Sequence, residues 1–361
     1  MKNRRLAPPP QLFALLALAP SLGFAGVVGS SQSAIIHGDT VDTDVFPSAA
    51  QLIIGGSIGG QEIKAPACTA TLIAPDVALT AGHCLEDYPL TFGIIPLDGM
   101  TFWVTFEEDL GYMVDQSSGG SPALPDDAVE AVGWVQHPGF DMQGMVGIVP
   151  EGPGKFDDIA LLFLDRAVTD RPHAWLPTAA EDATLFEDQV VDIVGYGQRS
   201  AESGGPFQTP EPGTAFVRVH AESWINELGE FEMQIGSDSD SSRKCHGDSG
   251  GPSYARVETD LVDDVRVVGV TSHAYDERDC LVGGVDTRVG PYLDWIEDEM
   301  ISACEGGVRL ECDEPGILRP APADDGGGAD GEGCRSSMAG GAPASAMVLF
   351  LLGGLALRRR L

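Results

Sequence analysis

Positive charge is scarce in this chain. Lys and Arg total 21 against 55 Asp and Glu, a formal net charge of −34. A surface of that sign repels a phosphate backbone, which excludes nucleic acid as a partner. Sustained helical periodicity and internal repeats are both missing, so helical bundles and solenoids are excluded. No histidine or cysteine group has the spacing of a zinc site: Cys304 and Cys312 have no histidine near them. The acidic stretch Glu107–Asp109 offers carboxylates to calcium but matches no defined calcium loop, which leaves that ion open; no other metal and no cofactor is expected. Long apolar runs are absent from the body of the chain. The stretch Leu12 to Ala25 is too short to span a membrane and is interrupted by Pro20.

What the chain has is glycine and proline, 46 and 25 of 361 residues, as in a turn-rich β protein. Short apolar runs with β-branched residues, at Thr69–Ile73, Val77–Thr80, Ala160–Leu164, Gln189–Gly195, Ala215–His220 and Val265–Ser272, read as strands. Gln116–Pro125 and Gln143–Lys155 read as glycine-rich surface insertions. Only Pro291 to Ala303 reads as helix, with Tyr292, Trp295, Ile296 and Met300 sharing a face. At the N-terminus, Lys2, Arg4 and Arg5 precede the apolar stretch, and small residues at Gly23 and Ala25 suit cleavage. Residues 1–25 therefore read as a secretory signal and 26–34 as a short pro-segment. Export makes disulfides permissible for the seven cysteines. Residues 304–333, rich in Pro, Gly and acid, read as a linker. Residues 334–361 follow with Cys334, an apolar stretch from Ala346 to Leu357 and Arg358-Arg359-Arg360, the layout of a sorting or anchoring tail.

Three stretches carry chemistry. Lys244-Cys245-His246-Gly247-Asp248-Ser249-Gly250-Gly251-Pro252 sets one serine among glycines that let backbone N–H groups converge on a point. A serine hydroxyl needs a base to become nucleophilic. Thr80-Ala81-Gly82-His83-Cys84 supplies a histidine, whose ordinary pKa suits that work. Asp157-Asp158-Ile159-Ala160-Leu161 places an acid at the mouth of an apolar strand, where it can hold the imidazole in one tautomer. Asp158 is favoured there, with Asp157 as its rival.

In that order these motifs resemble the trypsin/chymotrypsin family of serine proteases, over roughly Ile35 to Ala303. Gly195-Tyr196-Gly197 and the helix that starts near Tyr292 are similar to family features as well. The resemblance implies an all-β fold of two packed antiparallel six-stranded β-barrels, about 35–170 and 171–303, with a C-terminal helix. It implies a catalytic triad of His83, Asp158 and Ser249, with the N–H groups of Gly247 and Ser249 as oxyanion hole and Ser272 bonded to the triad aspartate. By the same resemblance, cleavage after Ala34 frees the α-amino group of Ile35 to pair with Asp248. His37 departs from the family's glycine, and an alanine before the cut argues for a separate activating protease rather than a trypsin-like self-cleavage; a direct signal-peptidase cut after Ala34, which would abolish the zymogen stage, is the other reading. Disulfides Cys68–Cys84 and Cys245–Cys280 follow from the resemblance; Cys304–Cys312 is inferred from closeness alone.

At the base of the specificity pocket, where trypsin-type members carry an aspartate, this chain has Arg243 followed by Lys244. The walls would be Ser272-His273-Ala274 and Gly283-Gly284-Val285-Asp286. A cation there implies a preference for acidic side chains, unless Asp286 neutralises Arg243 or both basic side chains face solvent, which would leave a pocket for small or apolar residues. The tail from Cys334 resembles the sorting tags of myxobacterial secreted proteins, with a plain membrane anchor as the other reading; either makes this tail the only membrane contact. The expected function is a secreted or surface-displayed endopeptidase made as a zymogen, with peptide or protein substrates. The alternative is a catalytically silent homologue that serves as a surface binding module.

Overall fold

A computed structural model describes residues 35–58, 60–86, 99–114, 122–147, 152–198, 215–238, 240–261, 263–276 and 279–320. The signal and pro-segment readings, most of the insertion at 116–125, residues 148–151 of the other, and the tail with Cys334 lie outside these residues.

Among the described residues, twelve of thirteen strands build two barrels. The first closes in the order β2 (Ala49–Ile58), β3 (Gln61–Ala74), β4 (Val77–Thr80), β7 (Ala160–Leu164), β6 (Val129–Gln136) and β5 (Thr101–Thr105), which pairs back to β2. Neighbouring strands are antiparallel throughout. In β4 and β7 every side chain is buried, which explains why they read as continuous apolar runs rather than alternating ones. The second barrel runs β8 (Val190–Gly195), β9 (Val219–Leu228), β10 (Glu232–Ile235), β13 (Gly284–Arg288), β12 (Val265–Ala274) and β11 (Pro252–Arg256), and β11 pairs back to β8. Of the run expected at Ala215–His220, only the end is strand. Closure leaves no long unpaired edge on either barrel.

The ends of the chain cross over. β1 (Asp39–Thr40) pairs with β9 of the second barrel, and Ile35 is fully buried in that barrel's core with Ile193, Ile225 and Val268. At the other end, α3 (Leu293–Glu305) follows a 3₁₀ turn at Gly290–Tyr292 and buries Leu293, Ile296, Met300 and Ala303. These residues belong to one apolar core with the strands of the first barrel. His137, just after β6, meets the rings of Tyr292 and Trp295 edge-on at 5.1 Å. A division near residue 170 thus separates the strands, while each terminus serves the opposite barrel. Two short helices complete the described fold, α1 (Met142–Gly147) and α2 (Ala179–Asp182). Thr178 starts α2 with a capping box: its Oγ1 accepts from the Glu181 N–H at 3.1 Å, and Glu181 Oε2 accepts from the Thr178 N–H at 2.7 Å.

The linker expected from residue 304 begins later. Residues 304–320 are packed, because one buried carboxylate gathers them. Asp76 Oδ1 accepts from Arg309 Nη2 at 2.9 Å, and its Oδ2 accepts the N–H groups of Leu310 and Glu311 at 2.8 and 2.9 Å. Ile317 and Leu318 pack on the core, and Arg319 donates to the carbonyls of Leu176 and Pro177. Composition alone read this stretch as solvated; it missed the buried acid more than 200 residues away that neutralises Arg309. Disulfides join Cys68 to Cys84, Cys245 to Cys280, and Cys304 to Cys312.

Candidate active site

His83 sits in a single 3₁₀ turn, Gly82–Leu85, at the end of β4. Its backbone N–H donates to Asp158 Oδ1 at 2.8 Å, and its ring Nδ1 lies 2.7 Å from Asp158 Oδ2. A donor at Nδ1 leaves Nε2 as the basic nitrogen. A side chain at Gly82 would press on the ring of Phe140 and on Asp158 Oδ1, so only glycine lets the turn approach this closely. Gln136 Nε2 donates to the Gly82 carbonyl at 2.9 Å and braces the turn from β6.

Asp158 is fully buried at the entrance to β7. Besides His83 it receives Ser272 Oγ at 2.6 Å on Oδ2, and Thr287 Oγ1 donates to its carbonyl at 3.0 Å. Burial would raise its carboxyl; the charge of the adjacent His83 and the hydrogen bonds from His83 and Ser272 outweigh burial and hold it below the ordinary value. Its rival turns the other way. Asp157 has φ +53°, which sends its carboxylate to the C-terminal side of the molecule, where Tyr292 donates to it at 2.9 Å.

Ser249 belongs to the second barrel, in the turn before β11, and the first barrel grips that turn. The Thr69 N–H donates to the Ser249 carbonyl at 2.7 Å, and Thr69 Oγ1 donates to the Gly247 carbonyl at 3.0 Å. A Cβ on Gly250 (φ +79°) would overlap Thr80 Oγ1 and the Thr69 carbonyl at 2.1 and 2.3 Å. The hairpin that presents His83 and the turn that presents Ser249 are therefore pressed together over a glycine. Gly247 adopts left-handed backbone, φ +95°. Among the described residues neither the Gly247 nor the Ser249 amide donates to a protein acceptor. Nor does a hydrogen bond join Ser249 Oγ to His83 Nε2; this geometry commonly tightens when substrate arrives.

Asp248 points inward, away from Ser249. Its carboxylate accepts from the amides of Gly197 at 2.7 Å and Cys245 at 2.9 Å. Burial pushes it up to about 6, despite those bonds and the charges of Lys244 and His246. Ile36 exchanges two backbone hydrogen bonds with Arg243, at 2.8 and 3.1 Å, and packs against Cys245. Ile35 thus lies close to the segment that holds Asp248. Ile35 and His37 both adopt left-handed backbone, φ +47° and +68°, so the position where the family has glycine carries a strained histidine here.

A pocket opens beside Ser249, walled by Ser272, His273, Ala274, Gly284 and the Cys245–Cys280 bridge. The sequence placed Arg243 and Asp286 in it; both instead lie behind the lining. Arg243 donates from Nε to the Cys280 carbonyl at 2.7 Å and from Nη1 to the carbonyls of Asp238 and Ser241. Asp286 pairs with Lys244 Nζ at 2.8 Å, both side chains being buried. Asp286 therefore neutralises Lys244, not Arg243, and neither basic side chain faces solvent.

Glu232 was not legible as part of this region. Fully buried in β10, it accepts the N–H groups of Gly154 and Phe156 at 2.6 and 3.0 Å and lies 3.3 Å from His273 Nε2. Burial would lower the His273 imidazole; the hydrogen bond and charge of Glu232 outweigh that and leave it raised. Glu232 thereby fastens the loop leading to Asp158 onto the pocket wall. An acid inside a strand whose four residues are all buried was the available signal. Histidine and cysteine atoms also cluster at Cys68, His83 and Cys84 and at Cys245, His246 and Cys280. All four sulfurs are tied up in disulfides and offer no thiolate to a metal.

Two closed six-stranded barrels, with a histidine–carboxylate pair on one and a glycine-bounded serine on the other, define the chymotrypsin fold. The family model described as Trypsin matches residues 114–296, which include Asp158 and Ser249, and the chain belongs to that family. Similar curated proteins include CLIP domain-containing serine protease B15 of Anopheles gambiae, 27% identical over 304 residues, covering 79% of this chain and 75% of the relative. Phenoloxidase-activating factor 1 of Holotrichia diomphalia is 25% identical over 278 residues, covering 73% and 69%. Spaetzle-processing enzyme of Drosophila melanogaster is 28% identical over 263 residues, covering 64% and 58%.

Proposed function

We propose that this protein is a secreted serine endopeptidase that works through an acyl-enzyme and is made as a precursor activated by cleavage before Ile35. The observation that carries the reading is the His83–Asp158 pair at 2.7 Å on a hairpin that also grips the Ser249 turn. Ser249 Oγ attacks the carbonyl carbon of the scissile bond while His83 Nε2 takes its proton. The charge on the carbonyl oxygen is met by the Gly247 and Ser249 amides; each such donor contributes on the order of 3 kcal/mol in the transition state. Asp158 stabilises the imidazolium, which then protonates the leaving amine. A water molecule repeats the sequence in reverse and releases the acid.

Activation is supported by the setting of Ile35. Ile35 holds left-handed backbone, φ +47°, a conformation that costs a β-branched residue about 1–3 kcal/mol. Hydrolysis before it would free that backbone and yield an ammonium for the buried Asp248, whose hydrogen bonds come from the amides of Gly197 and Cys245. Secretion by the leader at 1–25, a pro-segment at 26–34, and processing or anchoring through residues 334–361 complete the proposal.

The test is a fluorophosphonate label, which reacts only with an activated serine. Protein starting at Ile35 is expected to take up label at Ser249, with Ser249→Ala as the blank, and to cleave denatured protein. Absence of label on that form would favour the silent binding homologue.

A further inference from the structure

Resting on the protease reading, a second conclusion concerns which side chain the enzyme cuts after. Ser249 itself lines the pocket, so the side chain on the acyl side of the attacked carbonyl enters there. Lys244 also contributes to the lining, and its charge decides what is admitted. An ammonium has three N–H donors. Those of Lys244 meet Asp286 Oδ2 at 2.8 Å, Ser253 Oγ at 2.9 Å and the Gly251 carbonyl at 3.4 Å. Ser253 in turn donates to the same Asp286 oxygen at 2.6 Å. The pair is sealed, with the lysine side chain 1% and the aspartate 0% exposed. Arg243 has turned its Nε and Nη1 to carbonyls of the surrounding loop, and the charges acting on it come from Asp238 and Asp240.

We infer that the pocket selects an uncharged side chain, and that the buried Lys244–Asp286 pair is the specificity-determining element. A substrate carboxylate entering the pocket would shed its water and find every Lys244 donor committed. A substrate cation would meet the Lys244 ammonium in front of Asp286; Asp286 Oδ2 is already shared, and Oδ1, buried without a partner, is not part of the lining. An uncharged side chain loses nothing of the kind, and it gains contact with the Cys245–Cys280 bridge and with Ala274, while Gly283 and Gly284 leave it room.

The experiment uses protein starting at Ile35, with active sites counted by fluorophosphonate, against peptides varied at the residue before the scissile bond. The best uncharged residue is expected to exceed Asp, Glu, Lys and Arg at least tenfold in kcat/KM. Asp286→Asn removes the counter-ion while burial already works against the Lys244 charge; assayed toward the acid end of the enzyme's active range, where the amine holds its proton, cleavage after Asp and Glu, relative to the best uncharged residue, should rise at least tenfold. A wild-type enzyme that prefers acidic residues would overturn the inference, since a basic donor would then be free. One that prefers Lys or Arg would overturn it too, with Asp286 Oδ1 taking the cation. An unchanged ranking in a folded Asp286→Asn would remove the pair as determinant, and should that variant not fold, the wild-type ranking alone decides. Failure to take up label refutes the protease reading instead, and the inference falls with it.

Discussion

The buried Asp248 makes the cleaved and uncleaved chains differ in the sign of their pH dependence. In the uncleaved chain its carboxyl rises from 3.8 to about 6. At 1.36 kcal/mol per pH unit, keeping it ionised at neutral pH costs that form about 3 kcal/mol. The folded state holds the proton more tightly than the unfolded chain, so stability from this group is full below about pH 4 and falls as pH rises through about 6. Under the proposed activation, cleavage before Ile35 would supply an ammonium to this carboxylate, and the pairing would bring the folded carboxyl below its unfolded value. Stability from the pair is then present above about pH 4 and lost on acidification. The comparison is clean because residues 26–34 contain no ionisable side chain. Protein starting at Gly26 and protein starting at Ile35, both carrying Ser249→Ala to prevent turnover, should be unfolded in urea from pH 4 to 7. The other carboxylates titrate in both and cancel in the difference. That difference is expected to be small at pH 4 and to grow by at least about 3 kcal/mol in favour of the cleaved form by pH 7. A flat difference, or an uncleaved form that is the more stable at pH 7, would refute the pairing of Ile35 with Asp248.

Ser272→Ala removes the 2.6 Å donor from Asp158 Oδ2; a hydrogen bond to a charged group contributes about 1.5–3 kcal/mol, so kcat/KM should fall about tenfold or more in steady-state assays. Gly250→Ala drives a methyl group into Thr80 Oγ1 and the Thr69 carbonyl at a φ of +79°; the two barrels must separate there, and fluorophosphonate labelling should be abolished even in protein that remains soluble. Arg309→Met leaves the buried Asp76 without its cation; losing one partner of a buried pair costs about 3–5 kcal/mol, and at about 2 °C per kcal/mol the midpoint measured by circular dichroism should drop by about 6 °C or more. An Arg309→Met midpoint within the error of wild type would show that residues 306–320 do not belong to the folded domain.

Contiguous chemistry was legible in the sequence. His83, Asp158 and Ser249 each stand in a short local motif, because glycines and threonines that shape a turn must be its chain neighbours. The strands β4 and β7 were legible from unbroken runs of small and apolar residues, and β8, β12 and the end of β3 from β-branched runs interrupted by single polar residues such as Asp192 and Arg266. Direction was not legible. Asp157 and Asp158 differ by one residue, and only the left-handed backbone at Asp157 decides that it faces Tyr292 while its neighbour faces His83. Arg243 and Lys244 likewise read as a cationic pocket base, until the carbonyls and the Asp286 carboxylate that absorb their donors come into place. Composition gave no warning of Asp76 under the C-terminal strap or of Glu232 behind the pocket wall, since neither has a local pattern to betray it.

By itself, then, the order of residues determined a turn-rich β chain and three short motifs, for these depend on backbone preference and on neighbours within a few residues; the two-barrel fold and the triad entered through the resemblance those motifs carry. Tertiary structure alone decided which charges are spent on one another and which remain for a substrate. Charge pairing depends on distance in space, and burial between the barrels is what makes each unpaired charge expensive.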